Sequence, residues 1–246
     1  MTNLAKLLGI GLVFLTLNAC EEDNVQPKPP SDSINKIMPL GASRVEGARP
    51  AFESFRYELW KDLKENDWTF DYIGSRTDDA SYPSFEGEDF DADHEGRGGW
   101  TSGEILGGIS QWLDAVGAPD IVLFSSPGGN DILNGLASIE ETVANIHAII
   151  DTLQGRNPEV TIIIEELAPG KSDFMTAEFT ADFEAMQQEV QTIADQQTTS
   201  SSPVITVDMF TGFTDAMLAD EVHYNEAGAD FIASRYYSVL VNVLEQ

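Results

Sequence analysis

Cysteine and basic side chains are scarce in this chain of 246 residues. Its one cysteine, Cys20, permits neither an internal disulfide nor a metal site built from several thiolates. Lys and Arg together number 13 against 42 Asp and Glu, which gives a net charge of −29 at pH 7. A protein this negative repels phosphate backbones and anionic lipid surfaces, so we expect no nucleic-acid partner.

A complete metal motif is also missing from the sequence. Three aspartates within residues 86–95 have the alternating spacing of an EF-hand calcium loop. However, His94 occupies the position that requires Gly, and Trp100 the position that requires Glu. A looser calcium site in residues 86–95 stays open, although a solvated acidic loop is the simpler interpretation. We expect that no metal and no cofactor is required.

The first 20 residues have the features of an export signal. Lys6 supplies a basic start, and residues 7–17 form an apolar run that is short for a membrane span. Residues 17–20, Leu-Asn-Ala-Cys, resemble the lipobox of bacterial lipoproteins. The acidic residues 21–24 resemble the export tag of Bacteroidetes surface lipoproteins. An ordinary secretory signal with a chance cysteine at its end is the alternative.

The lipoprotein resemblance implies a division of the chain. Residues 1–19 would be removed as a signal peptide, and Cys20 would carry lipid on the outer membrane, on its periplasmic or cell-surface side. The membrane would then be contacted through the lipid anchor only. Residues 20–33 are rich in Pro and charge without apolar periodicity, which predicts a flexible tether. The folded domain is expected over residues 34–246.

Apolar patterns within that domain alternate between strand and helix. This alternation predicts an α/β fold, with a parallel sheet of about five strands covered by helices on both faces. The segment 75–101 is predicted to be irregular. The predicted strands are 35–40, 69–74, 120–124, 160–167 and 204–207, and the predicted helices are 48–66, 105–113, 139–153, 179–194 and 226–244.

Three polar motifs follow strands of this sheet or precede its last helix, and each has a plain structural alternative. Ser43 follows the first strand, where it could be a nucleophile or could simply cap the N-terminus of a helix. Asn130 follows two glycines after the third strand, where its amide could donate to an oxyanion or cap a helix. Asp220 and His223 could form a general base with its orienting partner, or lie in a polar surface loop.

Together these motifs resemble the block pattern of the SGNH, or GDSL-type, serine hydrolases. Residues 37–43, 94–102, 128–131 and 220–228 are similar to that family's conserved blocks, in the same order. The first two blocks resemble the carbohydrate-esterase-like branch most. The resemblance implies a flavodoxin-like three-layer α/β/α sandwich over nearly the whole domain.

The resemblance also implies a role for individual residues. Ser43 would be the nucleophile, His223 the general base and Asp220 its orienting partner. The backbone N–H groups of Ser43 and Gly99 and the amide of Asn130 would form the oxyanion hole.

One position departs from the family, which usually has Asp where Ala42 stands. This substitution puts the hydrogen bonding of the nucleophile's loop in question. Arg44 could contact substrate, or be a surface cation paired with Glu46. Trp100 could form a wall of the site, although an aromatic of the core is the ordinary role of tryptophan.

Two other enzyme motifs fail. Val45 stands where G-x-S-x-G requires its second glycine, which excludes the α/β-hydrolase nucleophile turn. Residues 170–172, Gly-Lys-Ser, look like the end of a P-loop, but Glu165 stands where its first glycine would be.

These observations predict a serine esterase that acts on carboxylic esters through an acyl-enzyme. Acetyl or short-chain esters, on small molecules or on polysaccharides, are the expected substrates. The alternative is a glycan-binding surface lipoprotein that keeps the fold without catalysis, and its one motivation is Ala42.

Overall fold

The computed structural model describes Val25 and residues 27–246 of the chain. The predicted signal peptide, Cys20 and the acidic tag lie outside these residues, so the statements about them stay predictions. Within the described part, no helix is both long enough and apolar enough to cross a bilayer.

A mostly parallel sheet runs through the centre of the described domain. Its order is β3-β4-β1-β5-β6-β7, with β2 beside the first half of β1, and the β3–β4 pair alone is antiparallel. The strands are β1 (Lys36–Gly41), β2 (Asp71–Tyr72), β3 (Arg76–Thr77), β4 (Asp93–Gly96), β5 (Ile121–Phe124), β6 (Thr161–Glu166) and β7 (Val204–Asp208).

Helices cover both faces of this sheet, so the predicted α/β/α sandwich is confirmed. Alternate strand residues enter two separate cores, as the two-residue period of a strand requires. Met38 and Leu40 face the core of α3, α5 and α6, whereas Ile37 faces that of α2 and α7. The helices are α1 (Ser43–Glu46), α2 (Arg56–Glu65), α3 (Ser102–Val116), α4 (Gly129–Asn134), α5 (Ile139–Arg156), α6 (Ala177–Gln197) and α7 (Glu226–Leu240).

The sheet has seven strands among the described residues, two more than expected. Both additional strands, β3 and β4, lie in the segment 75–101, which we expected to be irregular. They are short and mostly polar, so no apolar run marks them. The burial of β4 depends on partners instead, since Glu95 is fully buried against the Arg97 guanidinium at 2.6 Å and the Ser75 hydroxyl at 3.0 Å, whereas both residues of β3 are exposed.

The first predicted helix is shorter than expected at its start. Helical spacing of apolar residues predicts 48–66, but α2 begins at Arg56. Pro50 disfavours a helical conformation at the residue before it. Ala48 and Phe52 pair instead in a turn, with the N–H of Ala48 donating to the carbonyl of Phe52 at 3.2 Å.

Residues 27–33, part of the predicted tether, carry no helix or strand. Lys28 is nevertheless held against the domain. Its backbone N–H donates to the carbonyl of Ala115 (2.9 Å), and its ammonium group pairs with Asp93 (2.8 Å).

Asp91 is a mostly buried carboxyl group that joins the two strands on one side of β1. It accepts the backbone N–H of Tyr72 (2.7 Å) and that of Asp93 (3.3 Å). Burial raises the pKa of Asp91 to about 6 against these two hydrogen bonds, and the charges of Asp71 and Asp93 add to the rise. Asp93 is in turn paired with Lys28.

We expect the free energy of unfolding to fall as pH rises from about 4 to about 6. In that range Asp91 keeps its proton in the folded protein, whereas in the unfolded chain, where its pKa is about 3.9, it has lost the proton. The free energy of unfolding therefore decreases by about 2–3 kcal/mol. Asp91→Asn stays neutral, so chemical denaturation should show it gaining stability relative to the wild type between about pH 4 and about pH 8.

Asp195→Asn, at an exposed position of α6, is the matched control and should differ from the wild type equally at both pH values. Parallel pH profiles for wild type and Asp91→Asn would show that this carboxyl group does not cause the fall.

Candidate active site

The carboxyl ends of the parallel strands bring distant motifs to one edge of the sheet. Ser43 follows β1, and Asp220 and His223 lie in the loop before α7. The Nε2 atom of His223 is 2.9 Å from the Ser43 hydroxyl, and its Nδ1 atom is 2.8 Å from Oδ2 of Asp220. The three side chains thus form one continuous hydrogen-bonded chain, an arrangement that can activate a serine hydroxyl.

The carboxylate of Asp220 is held in its ionised form. Burial acts to raise its pKa, but hydrogen bonds from the backbone N–H groups of Val222 (2.9 Å) and His223 (2.8 Å), and from the His223 ring, outweigh burial and lower the pKa. A carboxylate at this place favours the tautomer with the proton on Nδ1. The Nε2 atom is then the acceptor for the hydroxyl of Ser43.

Phe52 packs on the imidazole of His223 and was not predicted as a site residue. The two rings stack with centroids 3.9 Å apart and an angle of 13° between their planes. This contact limits rotation of the imidazole away from Ser43. The apolar spacing of the sequence assigned Phe52 to a helix, and no motif marks a residue that acts only by packing.

Arg44, next to Ser43, connects three other loops. Its Nε atom donates to the carbonyl of Val222 (2.9 Å), and Nη1 donates to the carbonyl of Ala168 (2.8 Å). Further bonds reach the Ser126 hydroxyl (3.3 Å) and the carbonyl of Pro169 (3.2 Å). The loops after β1, β5 and β6 and the loop that carries the histidine are therefore tied together at one guanidinium.

The prediction that Arg44 is a surface cation paired with Glu46 is wrong. The Arg44 side chain is buried, with 8% of the residue exposed, and Glu46 pairs with Arg76. Arg44 also lies over the ring of Tyr224, 4.7 Å from its centroid. Contact between Arg44 and substrate stays a prediction.

A glycine loop after β4 approaches Ser43. A Cβ on Gly98 would lie 3.9 Å from that of Ser43 and 2.5 Å from Oε2 of Glu46, so a side chain there would displace the Glu46 carboxylate. The N–H of Gly98 donates to the same Glu46 oxygen at 2.7 Å. The next residue is Gly99, whose φ of +81° lies in the left-handed region that favours glycine. Gly99 is thus in the loop where an oxyanion donor is predicted.

The loop is anchored to Asn130 through its last residue. The Asn130 amide donates one hydrogen to the carbonyl of Trp100 at 2.8 Å, and an amide has a second hydrogen to offer. The ring of Trp100 packs against Trp112, with centroids 5.7 Å apart, and lies over the Arg97 guanidinium. The carbonyl of Trp100 therefore supports the site, and its role as a wall toward substrate stays a prediction.

A small pocket of about 30 Å³ adjoins Ser43. Asn130 and Arg44 lie on its lining together with four apolar side chains, Leu133, Leu167, Phe183 and Val222. The pocket thus combines a polar mouth at the serine with apolar walls.

In the part of the chain that the structure describes, no group of three or more His, Cys, Asp or Glu side chains is placed to hold a metal ion. The acidic segment 86–95, where the sequence is compatible with a looser calcium site, is included in that part.

The solved structures to which this chain is similar include three at 25% identity or more. An acetyl esterase mutant with acetate ion is 29% identical, with a TM-score of 0.72, and the match covers 85% of this chain and 98% of that one. A carbohydrate esterase family 3 protein from Talaromyces cellulolyticus gives the same four values. A family 3 carbohydrate esterase from Clostridium thermocellum is 25% identical, with a TM-score of 0.68 and coverage of 85% and 96%.

The sequence comparisons concern the family. A search of curated proteins gave no match. The family model of the GDSL-like lipase/acylhydrolases matches residues 65–231, which include Gly99, Asn130, Asp220 and His223 but begin after Ser43. That match covers more than half of the chain, so this protein belongs to the GDSL-like lipase/acylhydrolase family and is a carboxylic ester hydrolase.

Proposed function

We propose that this protein is a serine esterase that removes acetyl groups from polysaccharides, with Ser43, His223 and Asp220 as its catalytic triad. The observation that carries the proposal is the hydrogen-bonded chain from the Ser43 hydroxyl through the His223 ring to the Asp220 carboxylate, at distances of 2.9 and 2.8 Å.

The first half of the reaction forms an acyl-enzyme. His223 takes the proton of the Ser43 hydroxyl through Nε2 as the oxygen attacks the ester carbonyl. Asp220 stabilises the imidazolium that results. The protonated ring then gives its proton to the leaving alcohol as the ester bond breaks, and the acyl group remains on Ser43.

The second half releases the acid. His223 takes a proton from a water molecule, which attacks the acyl carbonyl, and then returns that proton to Ser43. Both steps place negative charge on the carbonyl oxygen. The N–H groups of Ser43 and Gly99 and the second amide hydrogen of Asn130 would stabilise it, each such donor contributing about 10²–10³ in rate when well placed.

The size of the pocket beside Ser43 supports acetyl as the acyl group. Its volume of about 30 Å³ is on the scale of one or two water molecules, which suits a methyl group. A longer straight chain would have to displace Leu133 or Phe183. An acetyl group is also the one named for the acetyl esterase mutant to which this chain is similar.

A polysaccharide as the alcohol is supported by the two family 3 carbohydrate esterases among the similar structures. The other prediction, a glycan-binding protein without catalysis, was motivated by Ala42. Arg44 and Glu46, which follow Ser43, hydrogen-bond the segment of the proposed nucleophile to neighbouring loops. These bonds can hold the segment in place without the family's Asp, which weakens that motivation. We also propose attachment to the outer membrane through a lipid on Cys20, on the motif at residues 17–20 alone.

Replacing Ser43 tests the proposed triad. Ser43→Ala, in the soluble domain from residue 25 onward, should lower kcat/KM for p-nitrophenyl acetate by about 10³–10⁶-fold, because the attacking oxygen is lost. Ser234→Ala, at an exposed serine of α7, is the control and should keep the wild-type rate. Equal turnover by Ser43→Ala and wild type would mean that another residue is the nucleophile, and a folded wild type without turnover would favour the binding protein.

Enlarging the acyl pocket tests the proposed acyl group. Leu133→Ala should raise the ratio of p-nitrophenyl butyrate to p-nitrophenyl acetate hydrolysis about tenfold, because burying two more methylenes is worth about 0.8 kcal/mol each. Leu136→Ala, at a leucine three residues further on that is 74% exposed, should leave the ratio as it is. A wild type that prefers butyrate would contradict the acetyl assignment.

A further inference from the structure

A second concave surface, larger than the acyl pocket, lies on the β3–β4 side of the site. Its volume is about 680 Å³, within the range of about 300–1,000 Å³ that is usual for ligand sites. The polar cleft, as we name it, is lined chiefly by Glu46, Arg49, Arg76, Asp79, Tyr82 and His94. The family comparisons assign it no role.

The polar cleft adjoins the nucleophile through two connections. Glu46 lies one turn of α1 beyond Ser43, and its carboxylate reaches both the N–H of Gly98 and the Arg76 guanidinium. The second connection is the turn that pairs Ala48 with Phe52. Ala48 lines the cleft, and Phe52 stacks on the His223 ring. A group bound in the cleft would thus be next to an ester at Ser43.

His94, one of the residues that line the cleft, has a buried ring nitrogen without a hydrogen-bond partner among the described residues. Only 1% of this residue is exposed. Its Nδ1 atom accepts the N–H of Gly96 at 2.9 Å, which places the ring proton on Nε2. Among the described residues no partner is within hydrogen-bond reach of that Nε2. Because buried polar groups are nearly always bonded, an oxygen acceptor is expected there.

The charges of the cleft favour a neutral ligand. Its arginines already have acidic partners, Arg49 with Glu53 and Arg76 with Glu46. Asp78 is likewise paired with Arg56, and Asp79 adds a negative charge to the wall. An anion would meet this charge, and a lipid chain would meet few apolar groups. A polyhydroxyl compound, by contrast, can accept from arginine and from Nε2–H of the imidazole, and donate to the carboxylates.

We propose that the polar cleft binds a neutral sugar unit of the polysaccharide next to the one that carries the acetyl group. This inference rests on the proposed function, because it takes Ser43 as the reacting centre. Arg76 and His94 lie opposite each other in the antiparallel β3–β4 pair and form one wall. Their donors hold the sugar, and the cleft thereby selects acetylated saccharides over simple acetyl esters.

Kinetics with two kinds of substrate test the cleft. For Arg76→Ala, the kcat/KM for mono-O-acetylated xylobiose or cellobiose, divided by that for p-nitrophenyl acetate, should fall about tenfold, mainly through KM. The loss of one hydrogen bond from a charged donor corresponds to a change of this size. The ratio cancels any general damage to the triad.

The matched control is Arg156→Ala, at an exposed arginine of α5 that is also paired with an acidic side chain, that of Asp114. It should keep the wild-type ratio. Turnover of p-nitrophenyl acetate that depends on Ser43, together with an unchanged ratio in Arg76→Ala, would overturn the cleft but not the proposed esterase. Absence of turnover altogether would instead contradict the proposed function.

Direct binding gives a readout at His94 itself. The chain has three histidines, so the imidazole signals of ¹⁵N-labelled protein can be assigned. In Ser43→Ala, added xylobiose should shift the Nε2–H signal of His94 and leave His147, which lies beside Gln197, unmoved. The shift should weaken in the double variant with Arg76→Ala. No shift of His94 at millimolar sugar, or an equal shift of His147, would overturn the proposal.

Discussion

The active-site edge depends on one buried guanidinium, that of Arg44. Parallel strands place their loops at a common edge, but they do not fix the distances between those loops. Arg44 does so, because its side chain donates to the carbonyls of Val222, Ala168 and Pro169, which belong to two different loops. Val222 immediately precedes the proposed base, and Arg44 immediately follows the proposed nucleophile. The 2.9 Å contact between Ser43 and His223 thus has a second connection beside it, the hydrogen bond from Arg44 to the carbonyl of Val222.

Arg44 also needs its surroundings, since a buried cation is costly without compensation. Carbonyl oxygens, the face of Tyr224 and the Ser126 hydroxyl supply it. Ser126 donates in turn to the buried carboxyl group of Glu165 through its backbone N–H at 2.7 Å. Burial raises the pKa of Glu165, while hydrogen bonds, including the one from the Ser126 N–H, and the positive charge of Arg44 act to lower this pKa. A polar network therefore extends from the loop of Ser43 into the sheet.

The sequence predicted those parts of the molecule that follow from periodicity or from a motif. The buried strands β1, β5 and β6 are apolar runs, and their positions were predicted to within about two residues. Ser43, Asp220 and His223 are candidates because their motifs together resemble the blocks of a known family, and the structure brings the three side chains together. β4 could not be predicted in this way, because a strand of Asp-His-Glu-Gly is buried by an ion pair formed only after folding. Phe52 and Arg44 act through neighbours that are remote in sequence, so no local pattern reveals the packing of Phe52 on His223 or the hydrogen bonds of Arg44 to other loops.

The position of Arg97 has a consequence for how this enzyme can change. Its guanidinium lies 3.6 Å from the centroid of Trp112, in the core beneath α3, and 5.3 Å from that of Trp100, whose carbonyl orients Asn130. A substitution that loosens the core at Trp112 would therefore also move a proposed oxyanion donor. Stability and turnover are coupled at this point, so selection for one of them constrains the other.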